Sequence, residues 1–210
     1  VILVHGLWMP AAVFAVQGHW LERLGYRVLR FGYPSVRTTL AQNAQALQRC
    51  IAATAATDIH LVGHSLGGLL ILAMLGQTPD PRLRRAVLLG SPCLDSHCAR
   101  RLARVPGISA LLGHSIAEWL ARPVNATIPL PASVTVGVLA GTRSFGMGRI
   151  VPGLPRPNDG VVAVAETQLA GAADFVALPV AHSEMLVSRR CTEQIAAFLE
   201  TGRFLHHELV

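Results

Sequence analysis

Short, unbroken apolar runs alternate along this chain with longer stretches whose apolar positions recur at helical spacing. Residues 1–4 form such a run, of the kind that fills a parallel strand covered on both faces. Val13, Val16, Trp20, Leu21 and Leu24 then mark a helix that Gly25 stops. Residues 26–31 read as a second strand, closed by Gly32-Tyr33-Pro34. A helix capped by Thr38 or Thr39 runs to about residue 55, with Leu40, Ala44, Leu47 and Ile51 on one face. Residues 58–63 give a third strand, 65–77 the helix after it, 78–81 a turn and 85–90 a fourth strand.

Residues 91–131 break this rhythm. Helical patterns at about 98–105 and 115–121 are separated by Pro106-Gly107 and ended by Arg122-Pro123, as in a small helical cap or lid inserted into a larger unit. The alternation then resumes. A strand at 134–140, a Gly/Pro-rich loop at 141–157 and a short helix at 161–169 are followed by a strand at 175–178 and a closing helix at 188–200, with Gly202 as its stop. The pattern predicts an α/β fold: one domain over residues 1–210, with a mostly parallel sheet of about six strands and helices on both faces. Ligands of such sheets sit at the C-terminal ends of the strands.

Composition narrows the function classes. Half the residues are hydrophobic and 14% are charged, which fits a large buried core. The net charge of +6 comes from Arg alone, since the chain contains no Lys. These arginines are scattered and have no interleaved aromatic stripe, which argues against a nucleic-acid partner but leaves room for weak peripheral contact with an anionic membrane surface. Cys50, Cys93, Cys98 and Cys191 match no zinc spacing and are too few for a disulfide scaffold. Cys93 and Cys98 are close enough to pair in an oxidising compartment, although two reduced thiols are the expectation. No apolar run reaches membrane-spanning length. The chain opens at Val1 inside a strand, which suggests a missing N-terminal segment that could carry a signal or anchor; a cytoplasmic location is slightly favoured.

The sharpest chemical signal is Gly63-His64-Ser65-Leu66-Gly67, set between the third strand and a helix. A tight strand-to-helix turn holds a serine in a strained conformation, exposes its hydroxyl at the sheet edge and aims a helix N-terminus at it. Gly113-His114-Ser115 repeats the first half of the motif without the preceding strand or the second glycine. It reads as a decoy, with Ser115 as a helix N-cap and Glu118 as its capping-box partner.

A serine nucleophile needs a base, and the base needs a carboxylate. His182 follows the last strand and so falls at the same edge of the sheet; capping or plain exposure are its competing roles. His60 reads as structural, and His64 as packed or hydrogen-bonded within the turn. His97 and His114 belong to the cap, His19 to the first helix and His206-His207 to a tail. Asp159, in Asn158-Asp159-Gly160, is the favoured acid, although Asp-Gly is also a common turn pair. Asp95, one strand earlier, is its rival. The backbone N–H groups of Leu66 and of Leu7, in the His5-Gly6 turn after the first strand, are the candidate oxyanion donors.

In order along the chain, Val4-His5-Gly6-Leu7-Trp8, Gly63-His64-Ser65-Leu66-Gly67-Gly68, Asn158-Asp159-Gly160-Val161-Val162 and His182-Ser183-Glu184-Met185-Leu186 resemble the α/β-hydrolase fold, especially its small serine esterase and lipase branch. The resemblance implies a Ser65–His182–Asp159 triad with Leu7 and Leu66 as oxyanion donors. It also implies a carboxylic ester hydrolase for apolar acyl or lipid-like esters, with a small-molecule substrate and no metal or organic cofactor. Thioester hydrolysis, acyl transfer or a non-catalytic binding module are the alternatives. The antiparallel edge of larger members has no counterpart in this sequence, which resembles the minimal lipases or else reflects a truncation at Val1. The stretch from Ala140 to Asp159 exceeds the usual acid loop, which keeps Asp95 open.

Overall fold

A computed structural model describes all residues except 78, 125, 127, 147–150 and 207–210. Thr78 of the expected turn, part of the 141–157 loop and His207 therefore lie outside the described residues. The six strands are β1 (Ile2–Val4), β2 (Leu29–Phe31), β3 (Ile59–His64), β4 (Leu83–Leu89), β5 (Thr135–Gly141) and β6 (Asp174–Leu178). They form one sheet in the order β2-β1-β3-β4-β5-β6, and every pairing is parallel.

Alternation along the central strands divides the core in two. Leu61, Ala86 and Leu88 face one side, where they pack with α2 (Leu40–Ala53) and α3 (Leu66–Leu75). Val62, Val87 and Leu89 face the other, with Leu21 of α1 (Ala15–Arg23) and Ile195 and Phe198 of α6 (Arg189–Thr201). A strand buried on both faces has no polar side to show, which explains its unbroken apolar sequence. Thr39 caps α2, and its capping box is completed by Gln42.

Several boundaries differ from the sequence expectation. The second strand is only three residues long because the N–H of Tyr26 closes the turn of α1 on the Leu21 carbonyl, so pairing starts at Leu29. The expected helix at 161–169 is a single 3-10 turn at Val164–Thr167. In the 91–131 segment, α4 (His97–Ala103) is capped by Ser96, and α5 (Ile108–Leu120) is broken at Gly113 (φ 77°, ψ 177°), so its second part begins just before Ser115.

Ser115 is not an N-cap. It is fully buried in the first turn after the Gly113 break, and its hydroxyl donates to the Thr38 carbonyl at 2.8 Å and accepts from Asn43 Nδ2 at 3.0 Å. Glu118 is no capping-box partner either, since its carboxylate accepts from the Ala41 N–H at the start of α2, 3.2 Å away. Packing of α5 on the start of α2 takes both side chains away from their own helix.

Candidate active site

Ser65 occupies the turn between β3 and α3 with φ 54° and ψ −121°, a conformation that costs a non-glycine residue on the order of 1–3 kcal/mol. Two backbone bonds hold it there: the Ser65 N–H donates to the Leu89 carbonyl at 2.9 Å, and the Gly68 N–H donates to the Ser65 carbonyl at 3.0 Å. Gly67 must lack a side chain, because a Cβ there would lie 2.1 Å from the Val4 carbonyl oxygen. That close approach brings the start of α3 against the end of β1, and Leu66 and Leu7 line the same cavity. Among the described residues no hydrogen bond engages the N–H of Leu7 or of Leu66, whereas the Trp8 N–H donates to Ser35 Oγ at 3.2 Å.

His5 braces this loop from behind. Its Nδ1–H donates to the Gly6 carbonyl at 2.8 Å, its Nε2 accepts from the Tyr33 N–H at 3.3 Å, and its ring stacks on Tyr33 at 4.4 Å. Burial lowers its pKa, partly offset by the Gly6 bond. Trp8, also at positive φ, donates its Nε1–H to the Leu111 carbonyl at 2.8 Å and so joins the loop to α5.

His182 follows β6 and is buried. Its Nδ1 lies 2.7 Å from Asp159 Oδ2, and its backbone N–H donates to the Asp159 carbonyl at 2.9 Å. Asp159 Oδ1 accepts from the N–H groups of Val161 and Val162 at 2.9 and 2.8 Å. The structure therefore brings Asp159 and not Asp95 to the imidazole. Asp95 instead pairs with Arg100 at 2.5 Å and lines a separate small cleft with Trp119 and Arg122.

Sequence reasoning missed the groups that make room for this pair. Gly90, at φ 54°, lies where a Cβ would come within 3.0 Å of Asp159 Oδ2 and 3.1 Å of His182 Nδ1. Glu166 was also missed. Its carboxylate accepts from the Ala163 N–H at 2.7 Å and from the His97 N–H, which couples the Asp159 loop to the start of α4. Burial raises its pKa against the pull of those two donors. Gly90 carries no local sequence signal because it acts on groups distant in the chain; of the two Glu166 bonds only the one to Ala163 is local, and the one to His97 is not.

Ser65, Leu66, Leu7 and His182 line one cavity of about 400 Å³, with walls that include Leu69, Leu102, Leu112, Ile116 and Phe145. Cys98 lies in the same wall. Burial, followed by the charges of Glu166 and Asp159, pushes its thiol up to about 11 and keeps it protonated at neutral pH. All four cysteines are free. Among the described residues no three His, Cys, Asp or Glu side chains converge as metal ligands.

Residues 1–202 match the model of the alpha/beta hydrolase family. The chain belongs to that family. A carbendazim hydrolyzing esterase of Nocardioides sp. (strain SG-4G) is 28% identical over 166 residues, covering 72% of this chain and 67% of that protein. The mature Bacillus licheniformis lipase BlEst2 superposes on this family member with a TM-score of 0.76 at 18% identity, over 95% of this chain and 89% of the lipase. A metagenomic carboxyl esterase gives 0.68 at 23% identity, over 96% and 75%. These two structural likenesses show the shared fold. No helix of the described residues is long and apolar enough to cross a membrane.

Proposed function

We propose that the protein is a serine carboxylic ester hydrolase that works through an acyl-enzyme on Ser65. The observation that carries this reading is the Asp159–His182 pair at 2.7 Å, whose histidine lines the same cavity as the strained Ser65. With Nδ1–H donated to Asp159, the other ring nitrogen, Nε2, is the one free to take the Ser65 proton as the hydroxyl attacks the ester carbon. The N–H groups of Leu66 and Leu7, which lack other partners among the described residues, receive the oxyanion. His182 then protonates the leaving alcohol, and a water activated by the same imidazole releases the acid.

The cavity walls favour an apolar acyl group, with residues 91–131 serving as a lid over it. In support, α4 and α5 supply Leu102, Leu112 and Ile116 to the lining. Contact with an anionic lipid surface would suit the exposed Trp8 and Phe145 at this cavity and the net positive charge. Thioesters and acyl transfer to an alcohol use the same machinery and are separated by product analysis.

The test is a panel of p-nitrophenyl esters of rising chain length, together with carbendazim, assayed on the protein and on Ser65→Ala. Hydrolysis with a loss of about 10⁴-fold or more in the variant is expected. Equal rates for the two proteins would overturn the assignment of the nucleophile.

A further inference from the structure

His64 adjoins the proposed nucleophile along the chain and the proposed base in space, yet the chemistry above makes no use of its ring. Its imidazole is fully buried at the end of β3. Its Nε2 lies 3.0 Å from the backbone carbonyl of His182, and the two rings are 4.6 Å apart, tilted by 50°. A carbonyl can only accept, so Nε2 carries the hydrogen and Nδ1 is a bare lone pair. That Nδ1 is buried and has no hydrogen-bond partner among the described residues. The apolar surroundings keep the ring neutral: burial drives its pKa well below the ordinary value, nearby His182 lowers it further, and the bond to the His182 carbonyl opposes both.

Other bonds of the His182 segment tie it to the Asp159 loop, to α1 and to itself. The His182 N–H reaches the Asp159 carbonyl, the Met185 carbonyl accepts from Gln17 Nε2 of α1 at 3.1 Å, and the Ala181 N–H reaches Glu184 at 2.8 Å. The His64 bond instead ties this segment to the last residue of β3, immediately before Ser65. We propose that His64 is a positioning residue that sets the distance between Ser65 and His182 through its Nε2–H bond to the His182 carbonyl. This rests on the reading of Ser65 and His182 as nucleophile and base. Without the bond, the imidazole keeps Asp159 but loses its register on Ser65, so turnover suffers and binding does not.

The test compares His64→Phe with His64→Gln, whose side-chain N–H can reach the same carbonyl, on p-nitrophenyl butyrate. Rates are taken per active site titrated with an organophosphonate. His64→Phe is expected to lower kcat about 100-fold with KM within about threefold, and His64→Gln to recover at least about tenfold of that loss. A kcat within about threefold of wild type in His64→Phe, or no recovery in His64→Gln, would overturn the proposal. If neither variant folds, ¹⁵N-histidine NMR of the unaltered protein decides. An Nε2–H tautomer that does not titrate between about pH 5 and 8 is expected; an Nδ1–H tautomer, or a midpoint in that range, would overturn it. Ester activity that survives Ser65→Ala would sink the nucleophile assignment instead, while the tautomer measurement would still judge the bond.

Discussion

His182 and Asp159 are joined twice, once through the imidazole Nδ1 and carboxylate Oδ2 at 2.7 Å and once through the backbone N–H and carbonyl at 2.9 Å. The backbone bond fixes where the two residues stand, and the side-chain bond fixes which way the ring points. Asp159 Oδ1 is already taken by two backbone N–H groups, so Oδ2 is the oxygen left to face the ring.

Asp159→Asn should therefore cost far more than Asp95→Asn. The amide at 159 can present an N–H where the ring needs an acceptor, which favours the wrong tautomer. A fall of about 10³–10⁴ in kcat for ester hydrolysis is expected. Asp95→Asn disturbs only a partly buried pair with Arg100 in a cleft apart from Ser65, and kcat/KM should stay within about threefold of wild type. A larger loss at position 95 would move the acid role there.

Gly90→Ala is predicted to damage activity more than stability. The position has positive φ, which costs alanine about 1 kcal/mol. The added carbon would also press on Asp159 Oδ2, His182 Nδ1 and Met185 Cε, at 3.0 to 3.2 Å. The neighbours must give by a few tenths of an ångström, and the neighbours are the proposed acid and base. A kcat loss of about 10- to 100-fold, with KM nearly unchanged and the fold retained by circular dichroism, is the expected result. Wild-type turnover would show that the pair absorbs the crowding freely.

The parts of this molecule that were legible in the sequence are those determined locally. Ile59 to Leu75 announces a buried strand, a glycine-flanked turn and an apolar helix because each depends on neighbours a few residues away. The position of His182 after the last strand follows from the same alternation. Whether Asp95 or Asp159 meets that histidine depends on how two loops after different strands fold over the sheet edge, and no local pattern contains this. Ser115 misled for a similar reason: its spacing to Glu118 fits a cap, but α2 and the Thr38 carbonyl just before it offer both side chains other partners once α5 packs there. The space left by Gly90 and the bond from His64 are likewise tertiary facts.

Ile116 reaches the cavity from α5 and is almost fully buried, so enlarging it should shorten the acyl group that fits. Ile116→Phe is expected to lower kcat/KM for an octanoyl ester by about tenfold or more while leaving an acetyl ester within about threefold. An unchanged chain-length profile would place the acyl group elsewhere in the cavity.

His60 gives the protein a pH-dependent stability that is independent of catalysis. Its Nδ1 is buried without a partner among the described residues, and its pKa is lowered to about 4. Burial is the main cause, followed by the positive charges of the Val1 ammonium and Arg85, while Asp58 opposes them. The folded state thus prefers the neutral ring, whereas the unfolded chain takes up a proton near the ordinary 6.5. Between these values the unfolded state binds more protons, so stability is full above about pH 6.5 and is lost as the pH falls towards 4. His5 and His64 act in the same direction, so total acid sensitivity does not isolate His60. Urea midpoints of wild type and His60→Gln, followed from about pH 7 to 4.5, do so. The wild-type midpoint should fall more steeply with acid than that of the variant. Parallel curves would show that this imidazole titrates alike in the folded and unfolded chain.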